Sequence, residues 1–162
     1  MKAVVVYYSL EGNTDIVAKA IAEKTGAALL RLKPVREYPS KGFLKYMAGG
    51  AAASMKLKPR LANAEIDLTR YDTVILGTPV WAGTMAPPLL SFLSGKGISD
   101  SRVGVFVCNG GGDTARCYAR LDNMLSGNRI LVRESFINAN SLPKADLDKK
   151  VSAFCAALAG KA

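Results

Sequence analysis

The chain has 162 residues, a formal net charge of +9 and no histidine. The absence of histidine excludes the Ser-His-Asp hydrolases, enzymes with a Cys-His nucleophile and the common zinc sites. We therefore expect a cofactor to carry any chemistry, with no catalytic side chain and no metal. We expect one domain over residues 1–162. The three cysteines favour a cytoplasmic protein, and because no apolar run approaches the roughly 18 residues that span a bilayer, we expect no membrane span.

Short β-branched runs alternate with helical patterns along the chain, which is typical of βα units around a parallel sheet. We predict five strands, near residues 3–8, 28–33, 72–77, 102–108 and 129–137. Four helices are predicted between and after them: Gly12 to Thr25, a helix after Thr84 with Pro87 and Pro88 in its first turn, Ala115 to Leu125, and a last helix from Pro143. The predicted fold class is a three-layer α/β/α sandwich.

The connection from Pro34 to Thr69 is longer than an ordinary crossover, and we expect it to hold one helix and some irregular chain. Residues 31–60 contain eight basic residues and one acidic residue, so most of the positive charge is one local patch. The patch shows no nucleic-acid recognition motif, and we interpret it as a solvated face or a docking site for an acidic partner protein. The nearby large apolar side chains fit either a core or a lid over a ligand; they are Tyr38, Phe43, Tyr46 and Met47.

Three glycine-containing loops each follow an apolar β-branched run directly. They are Ser9-Leu10-Glu11-Gly12-Asn13-Thr14, Gly77-Thr78-Pro79-Val80-Trp81-Ala82-Gly83-Thr84 and Asn109-Gly110-Gly111-Gly112-Asp113-Thr114. In an open parallel sheet, such loops emerge together at the carboxyl edge, where ligands bind at the topological switch point. The sequence therefore predicts a ligand site made of these three loops.

The first loop suits a phosphate group. It opens a helix, whose amino terminus offers free N–H groups and the positive end of the helix dipole. Ser9, Asn13 and Thr14 add side-chain donors, and Gly12 allows close approach of the backbone. The loop has neither the lysine of a nucleotide-triphosphate loop nor the three glycines of a dinucleotide fingerprint, which favours a monophosphate; the alternative is plain helix capping.

The same loop resembles the FMN-phosphate loop of the flavodoxin family, usually written Ser/Thr-x-Thr-Gly-Asn-Thr, with Glu11 in the place of the usual threonine. The resemblance extends over nearly the whole chain and implies FMN as the cofactor and a parallel sheet of strand order 2-1-3-4-5, with FMN at the switch point. A carboxylate beside a phosphate dianion is repelled. We therefore expect Glu11 either to point to solvent or to be balanced by a cation.

The second loop carries the only tryptophan, whose face can stack on a flat ring; the alternative is a core tryptophan under the helix predicted after Thr84. The loop resembles the flavin-flanking loop of a flavodoxin-like branch with Thr-Pro-x-Trp-x-Gly. That resemblance implies that Trp81 borders the isoalloxazine. It also implies that the Ala82–Gly83 peptide lies where flavodoxins turn a carbonyl towards flavin N5 on reduction.

The third loop offers consecutive backbone N–H groups, and its resemblance to flavodoxins implies contact with the pyrimidine end of the flavin. Asp113 can instead cap the following helix. Flavodoxins commonly place a tyrosine three residues after this aspartate, over the outer flavin face. Here Arg116 stands there and Tyr118 is offset, so the outer face is either open or covered by Trp81 or residues 38–50.

The three cysteines, Cys108, Cys117 and Cys155, are expected to be small buried hydrophobes, with Cys117 the nearest to the site. A signalling receiver domain of the same strand order is excluded, because Glu11 and Gly77-Thr78 stand where its acidic residues are needed. The family resemblance implies an electron carrier between redox partner proteins. The alternative is an FMN-dependent NAD(P)H:quinone or flavin reductase, with Lys41, Lys45 or Arg116 holding the nicotinamide nucleotide.

Overall fold

Five parallel strands form the sheet of the computed structural model, which describes residues 2–39, 44–63 and 65–160, apart from the side chains of residues 44–46 and 96. The strands are β1 (Ala3–Tyr7), β2 (Ala28–Arg31), β3 (Thr73–Trp81), β5 (Arg102–Asn109) and β6 (Arg129–Ile137). Their order across the sheet is β2-β1-β3-β5-β6, which confirms the predicted order of the five parallel strands. A sixth strand, β4 (Thr84–Met85), was not predicted; it pairs antiparallel with the end of β3.

Five helices flank the sheet: α1 (Asn13–Thr25), α2 (Leu44–Ser54), α3 (Pro87–Lys96), α4 (Ala115–Met124) and α5 (Lys144–Gly160). The predicted stop of α1 is confirmed, because left-handed Gly26 donates its N–H to the Ala22 carbonyl. Pro87 and Pro88 open α3, as expected of residues that lack an N–H. Within the described ranges, none of the helices is long and apolar enough to cross a membrane.

Each face of the sheet is covered by a separate layer, because neighbouring side chains on a strand point to opposite faces. On β1, Val4 and Val6 pack with the buried faces of α3 and α4, whereas Val5 packs with α1 and α5. Complete burial of such side chains stabilises the fold by about 1.5–3 kcal/mol each. The three-layer α/β/α prediction is therefore confirmed.

In its described residues, the long connection between β2 and β3 contains one α-helix, α2, as predicted, and a short 3-10 helix, Leu68–Arg70; the connection folds back on itself beside the sheet. The N–H of Val35 donates to the Arg60 carbonyl at 2.9 Å, and the N–H of Ala62 donates to the Lys33 carbonyl at 2.8 Å. The amide of Asn63 closes the pair, because it accepts from the N–H of Lys33 and donates to the carbonyl of Arg31, both at 2.7 Å. Residues 33–35 and 60–62 thus run side by side, with α2 in the chain between them.

Candidate functional site

A cavity of about 310 Å³ opens at the carboxyl edge of the sheet, between the loops that follow β1, β3 and β5. This volume is at the lower end of the usual range for small-molecule sites. Eleven of the residues predicted from the sequence line it: Ser9, Leu10, Glu11, Asn13, Thr14, Pro79, Val80, Trp81, Ala82, Asn109 and Gly110. Three further residues, none of which was predicted to bind the cofactor, complete the lining: Gly50, which ends the 38–50 segment considered as a cover, Cys108 and Asn138.

Six predicted site residues lie in the same loops but not in the lining: Gly12, Thr78, Gly83, Gly111, Gly112 and Asp113. Several of them shape the loops instead. The hydroxyl of Thr78 is buried, accepts from the N–H of Ala86 at 3.0 Å and so fixes the start of α3 against the end of β3. Asp113 accepts from the N–H of Ala115 at 2.9 Å, which is the capping role considered as the alternative for this residue.

The first loop is organised by the hydroxyl of Ser9. Its Oγ accepts from the N–H groups of Gly12 and Asp15, both at 3.2 Å, and its proton is left to donate elsewhere. Gly12 has φ +94°, a left-handed conformation that a side chain would strain. The amides of Asn13 and Thr14 belong to the first turn of α1 and have no intrahelical acceptor. Hydroxyl and amide donors thus gather at one helix terminus.

The hydroxyl of Thr14 is the clearest sign of a ligand position. It is buried, yet Oγ1 has no hydrogen-bond partner in the described part of the chain. An unsatisfied buried hydroxyl costs about 1–3 kcal/mol, so an acceptor is expected to meet it. The neighbouring Cys108 thiol does not meet hydrogen-bond geometry; burial raises the pKa of that thiol to about 12, and Thr14 offsets the rise only in part.

A set of charged and polar contacts holds the first loop from below. Arg31 donates from Nη2 to the Ser9 carbonyl at 2.9 Å and lies 3.7 Å from the carboxylate of Asp15. Asp15 also accepts from the hydroxyl of Tyr7 and pairs with Lys19, each at 2.7 Å. One cation of the basic patch therefore reaches the loop. Glu11 itself is exposed and lines the cavity, and the choice between a solvent-facing and a cation-balanced carboxylate stays open.

The loop after β6 is a part of the site that the sequence did not reveal. Asn138 has φ +46°, lines the cavity and donates its N–H to the Asn109 carbonyl at 2.9 Å. Asn140 donates its N–H to Oδ1 of Asn13 at 2.9 Å and its Nδ2 to the Glu11 carbonyl at 3.0 Å. This fourth loop joins the first and third. Its signal was a polar run, Asn-Ala-Asn-Ser, directly after the last predicted strand.

The second loop is a tight hairpin between β3 and β4. Ala82 and Gly83 form its two-residue turn with φ +48° and +72°, the signs that a type I′ turn requires. The left-handed conformation costs Ala82 about 1–2 kcal/mol. Arg116 compensates from α4, because Nη2 donates to the Ala82 carbonyl and Nε to the Gly83 carbonyl at 3.4 Å. Arg116 therefore braces the turn.

Trp81 has one side on the cavity and another against two tyrosines. Its ring meets Tyr8 edge-on at a centroid distance of 5.7 Å and Tyr38 at 5.2 Å. The Tyr8 hydroxyl donates to Glu37 at 3.2 Å, and burial raises the pKa of both tyrosines. The half-buried Trp81 thus lines the cavity and also packs against the core, and its stacking on a flat ring stays a prediction. Lys41 and Phe43, and the side chains of Lys45 and Tyr46, lie outside the described residues.

The third loop is shaped by Asn109. Its Oδ1 accepts from the N–H of Gly111 at 2.7 Å, and its Nδ2 donates to the Ser135 hydroxyl at 2.8 Å.

Cys108, one residue before Asn109, lines the cavity, so the expectation that Cys117 is the cysteine nearest to the site is wrong. Cys117 faces the core from α4, because its helical position places it beside buried Leu121 and away from the loop.

Solved structures of other proteins share this fold. A flavoprotein of Lactobacillus acidophilus, solved in complex with FMN, superposes with a TM-score of 0.73 at 20% identity, over 92% of this chain and 97% of that one. A Bacteroides uniformis protein reaches 0.80 at 19% identity, over 93% and 97%. An NADPH-quinone reductase of P. pentosaceus reaches 0.64 at 11% identity, over 96% of both chains.

The sequence is also similar to an NAD(P)H dehydrogenase (quinone) of Caulobacter vibrioides, with 33% identity over 99 residues, or 59% of this chain. The chain spans about half the length of that relative, since the match covers 47% of it. The family model described as Flavodoxin matches residues 2–153, almost the whole sequence. The chain therefore belongs to the flavodoxin family.

Proposed function

We propose that residues 1–162 form one domain that binds FMN in the cavity at the carboxyl edge of the sheet and transfers electrons between redox partners. The observation that carries the proposal is the buried Thr14 hydroxyl, which has no partner among the described residues, at a helix terminus that also offers the Ser9 hydroxyl and two amides. Phosphate is the ligand group that such donors select without a basic side chain.

The other loops then contact the remaining parts of the cofactor. Trp81 and Ala82 border the ring, and the main chain of Asn109 and Gly110 meets its pyrimidine end. Asn138 contributes from the fourth loop, which also lines the cavity. FMN, when bound, supplies one- and two-electron redox chemistry. The chain binds and orients it, keeps water from its buried side with Trp81, and holds the Ala82 carbonyl in place through Arg116.

A second candidate is an FMN-dependent NAD(P)H:quinone or flavin reductase. The names of the Caulobacter vibrioides and P. pentosaceus relatives support it directly. A nicotinamide nucleotide would need cations for its phosphates. Arg116 is already engaged by two carbonyl groups, so this role would fall to other basic residues beside the cavity. A cytoplasmic location stays a prediction in either case.

Titration of the purified protein with FMN tests the main proposal. We expect a yellow complex of one FMN per chain and quenching of Trp81 fluorescence, since the only tryptophan lines the cavity. Riboflavin, which lacks the phosphate, is the matched ligand and should bind at least about tenfold more weakly, because phosphate hydrogen bonds are charge-assisted. Equal affinities for the two ligands would contradict the proposed phosphate site.

Steady-state oxidation of NADH and NADPH with a water-soluble quinone separates the two candidates. A reductase should turn over at about 1 s⁻¹ or faster, the lower end of ordinary enzyme rates. A carrier should bind FMN fully and yet oxidise both nucleotides far more slowly. Fast turnover with either nucleotide would favour the reductase.

A further inference from the structure

Exposed apolar side chains and basic side chains share one surface beside the cavity. Of the seven large hydrophobic residues exposed in the described part of the chain, four fall between β2 and β3 and are 46–70% exposed: Val35, Met47, Met55 and Leu57. Five exposed basic residues accompany them: Lys33, Arg36, Lys56, Lys58 and Arg60. We call these nine residues the basic-apolar face.

Backbone contacts make this face continuous. Lys33 and Val35 lie beside Arg60 through the hydrogen bonds that join residues 33–35 to 60–62. Lys56 and Leu57 directly follow α2, since their N–H groups donate to carbonyls in its last turn at 3.1 and 2.9 Å. Residues 55–60 therefore run directly from the end of α2 to the paired segments, and the nine exposed residues lie on one connected stretch of chain.

The face adjoins the wall of the cavity. Gly50 of α2 lines the cavity, and Met47 lies one helical turn before it on the same side. Gly49 packs against the ring of Trp81, and Tyr38, three residues after Val35, meets that ring from the other part of the segment. A molecule seated on this face would therefore approach the cavity across Trp81.

The acidic side chains Glu37 and Glu65 lie beside the face and lower its positive charge only in part. Glu37 accepts the hydrogen bond of the buried Tyr8 hydroxyl, and Glu65 lines the same surface groove as Val35 and Arg60, so the five cations of the face outnumber these two carboxylates. A second copy of this chain, with its own net charge of +9, would be repelled. The complementary occupant is negatively charged.

We propose that the basic-apolar face docks an acidic redox protein, a proposal that rests on the proposed function and names the partner class of its site. Cationic side chains steer such a partner, and flexible methionine side chains adapt to apolar groups at its centre. A protein fits better than an anionic bilayer, because α2 has only 11 residues and a single charged residue, Lys45. An amphipathic membrane helix needs a charged face.

The probe is a plant-type [2Fe–2S] ferredoxin, an acidic redox protein, mixed with the purified chain in the presence of excess FMN. Calorimetric titration at about 20 mM ionic strength should give a complex that weakens steeply with added salt. The variant K56E/K58E should lower its affinity by about tenfold or more, since two attractive contacts become repulsive. Met55→Ser and Leu57→Ser should weaken it further, by a factor that salt does not change.

The charge-matched control is K144E/K149E on α5, whose exposed lysines lie on the opposite layer. It changes the net charge equally and should leave affinity within about twofold. Equal losses in the two double variants, absence of any complex at low salt, or binding to phosphatidylserine vesicles in place of the ferredoxin would overturn the proposal.

The FMN titration separates this proposal from the proposed function. All variants lie outside the cavity lining and should bind FMN as the parent chain does. If the chain holds FMN but the ferredoxin does not select the basic-apolar face, only the docking proposal fails. If the ferredoxin selects the face and the chain does not hold FMN, the proposed function fails and the docking surface stands.

Discussion

Gly49 lies directly against the indole of Trp81: a β-carbon at this position would come within 3.1 Å of Cε3 and 3.2 Å of Cζ3 of the ring. Such contacts are tighter than nine in ten real ones, so the ring must give way to any side chain here. The ring also borders the cavity. The glycine in α2 therefore sets how far Trp81 reaches into the candidate flavin site.

We expect Gly49→Val to push the ring of Trp81 into the cavity and to lower the affinity for FMN by about tenfold. Misplacement of the stacked ring costs roughly 1 kcal/mol or more of binding free energy. Trp81 fluorescence of the FMN-free protein should also shift. Gly95→Val in α3 is the control, since a β-carbon there meets nothing within 4 Å. If both variants bind FMN like the parent chain, Gly49 does not position Trp81.

Thr14→Val should have opposite effects on stability and on affinity. Removal of the unsatisfied buried hydroxyl should leave the FMN-free protein as stable or more stable by about 1 kcal/mol, whereas FMN should bind about tenfold more weakly. Thr73→Val is the matched control. The Thr73 hydroxyl is also buried and has no partner among the described residues, but it lies at the amino end of β3, away from the cavity. It should reproduce the stability effect alone. Unchanged FMN affinity in Thr14→Val would count against the phosphate site.

Arg116 both holds the Ala82–Gly83 turn and places a positive charge beside the cavity, and two variants separate these effects. Arg116→Lys keeps the charge but cannot span two carbonyl groups, whereas Arg116→Gln loses the charge as well. Both should loosen the strained Ala82–Gly83 turn, measured as faster amide exchange. Only Arg116→Gln should lower the midpoint potential of bound flavin, by about 30–70 mV at low salt, the effect of a cation at roughly 10–20 Å. Equal potentials in both variants would exclude the charge effect.

The lowered pKa of Asp15 predicts how the stability of the fold changes in acid. Burial alone would raise its pKa, but the hydrogen bonds from Lys19 and Tyr7 outweigh burial and place the pKa below the ordinary value of 3.8. The carboxylate therefore stabilises the fold fully above that ordinary value, and the contribution is lost as pH falls through the lower folded value.

We expect Asp15→Asn to lower the free energy of unfolding by about 1 kcal/mol at neutral pH and by almost nothing below about pH 2. Asp148→Asn is the control, since Asp148 pairs with Lys24 at the surface and such pairs contribute little. Chemical denaturation at several pH values measures both. A loss in Asp15→Asn that does not depend on pH would contradict the role of the charge.

The five parallel strands and the three glycine loops were predictable because each depends on local pattern: apolar β-branched runs, and glycine where φ is positive. The two residues of β4 carry no periodicity, so only pairing with β3 reveals them. The partners of Trp81 could not be predicted, because Tyr8, Tyr38 and Gly49 are distant in sequence and meet only in the folded chain. Asn138 was missed because left-handed asparagine lacks the signal that glycine gives.

The contacts of Asn140 set an order of events during synthesis. This residue holds the first loop of the chain through Asn13 and Glu11, across 127 and 129 positions of sequence. A nascent chain that ends before Asn140 has the loop's own residues but not the residue that secures them. Since synthesis runs from the amino terminus, these two hydrogen bonds form only after residue 140 has emerged. The first loop therefore gains its full set of contacts only when β6 and the loop after it have docked against it.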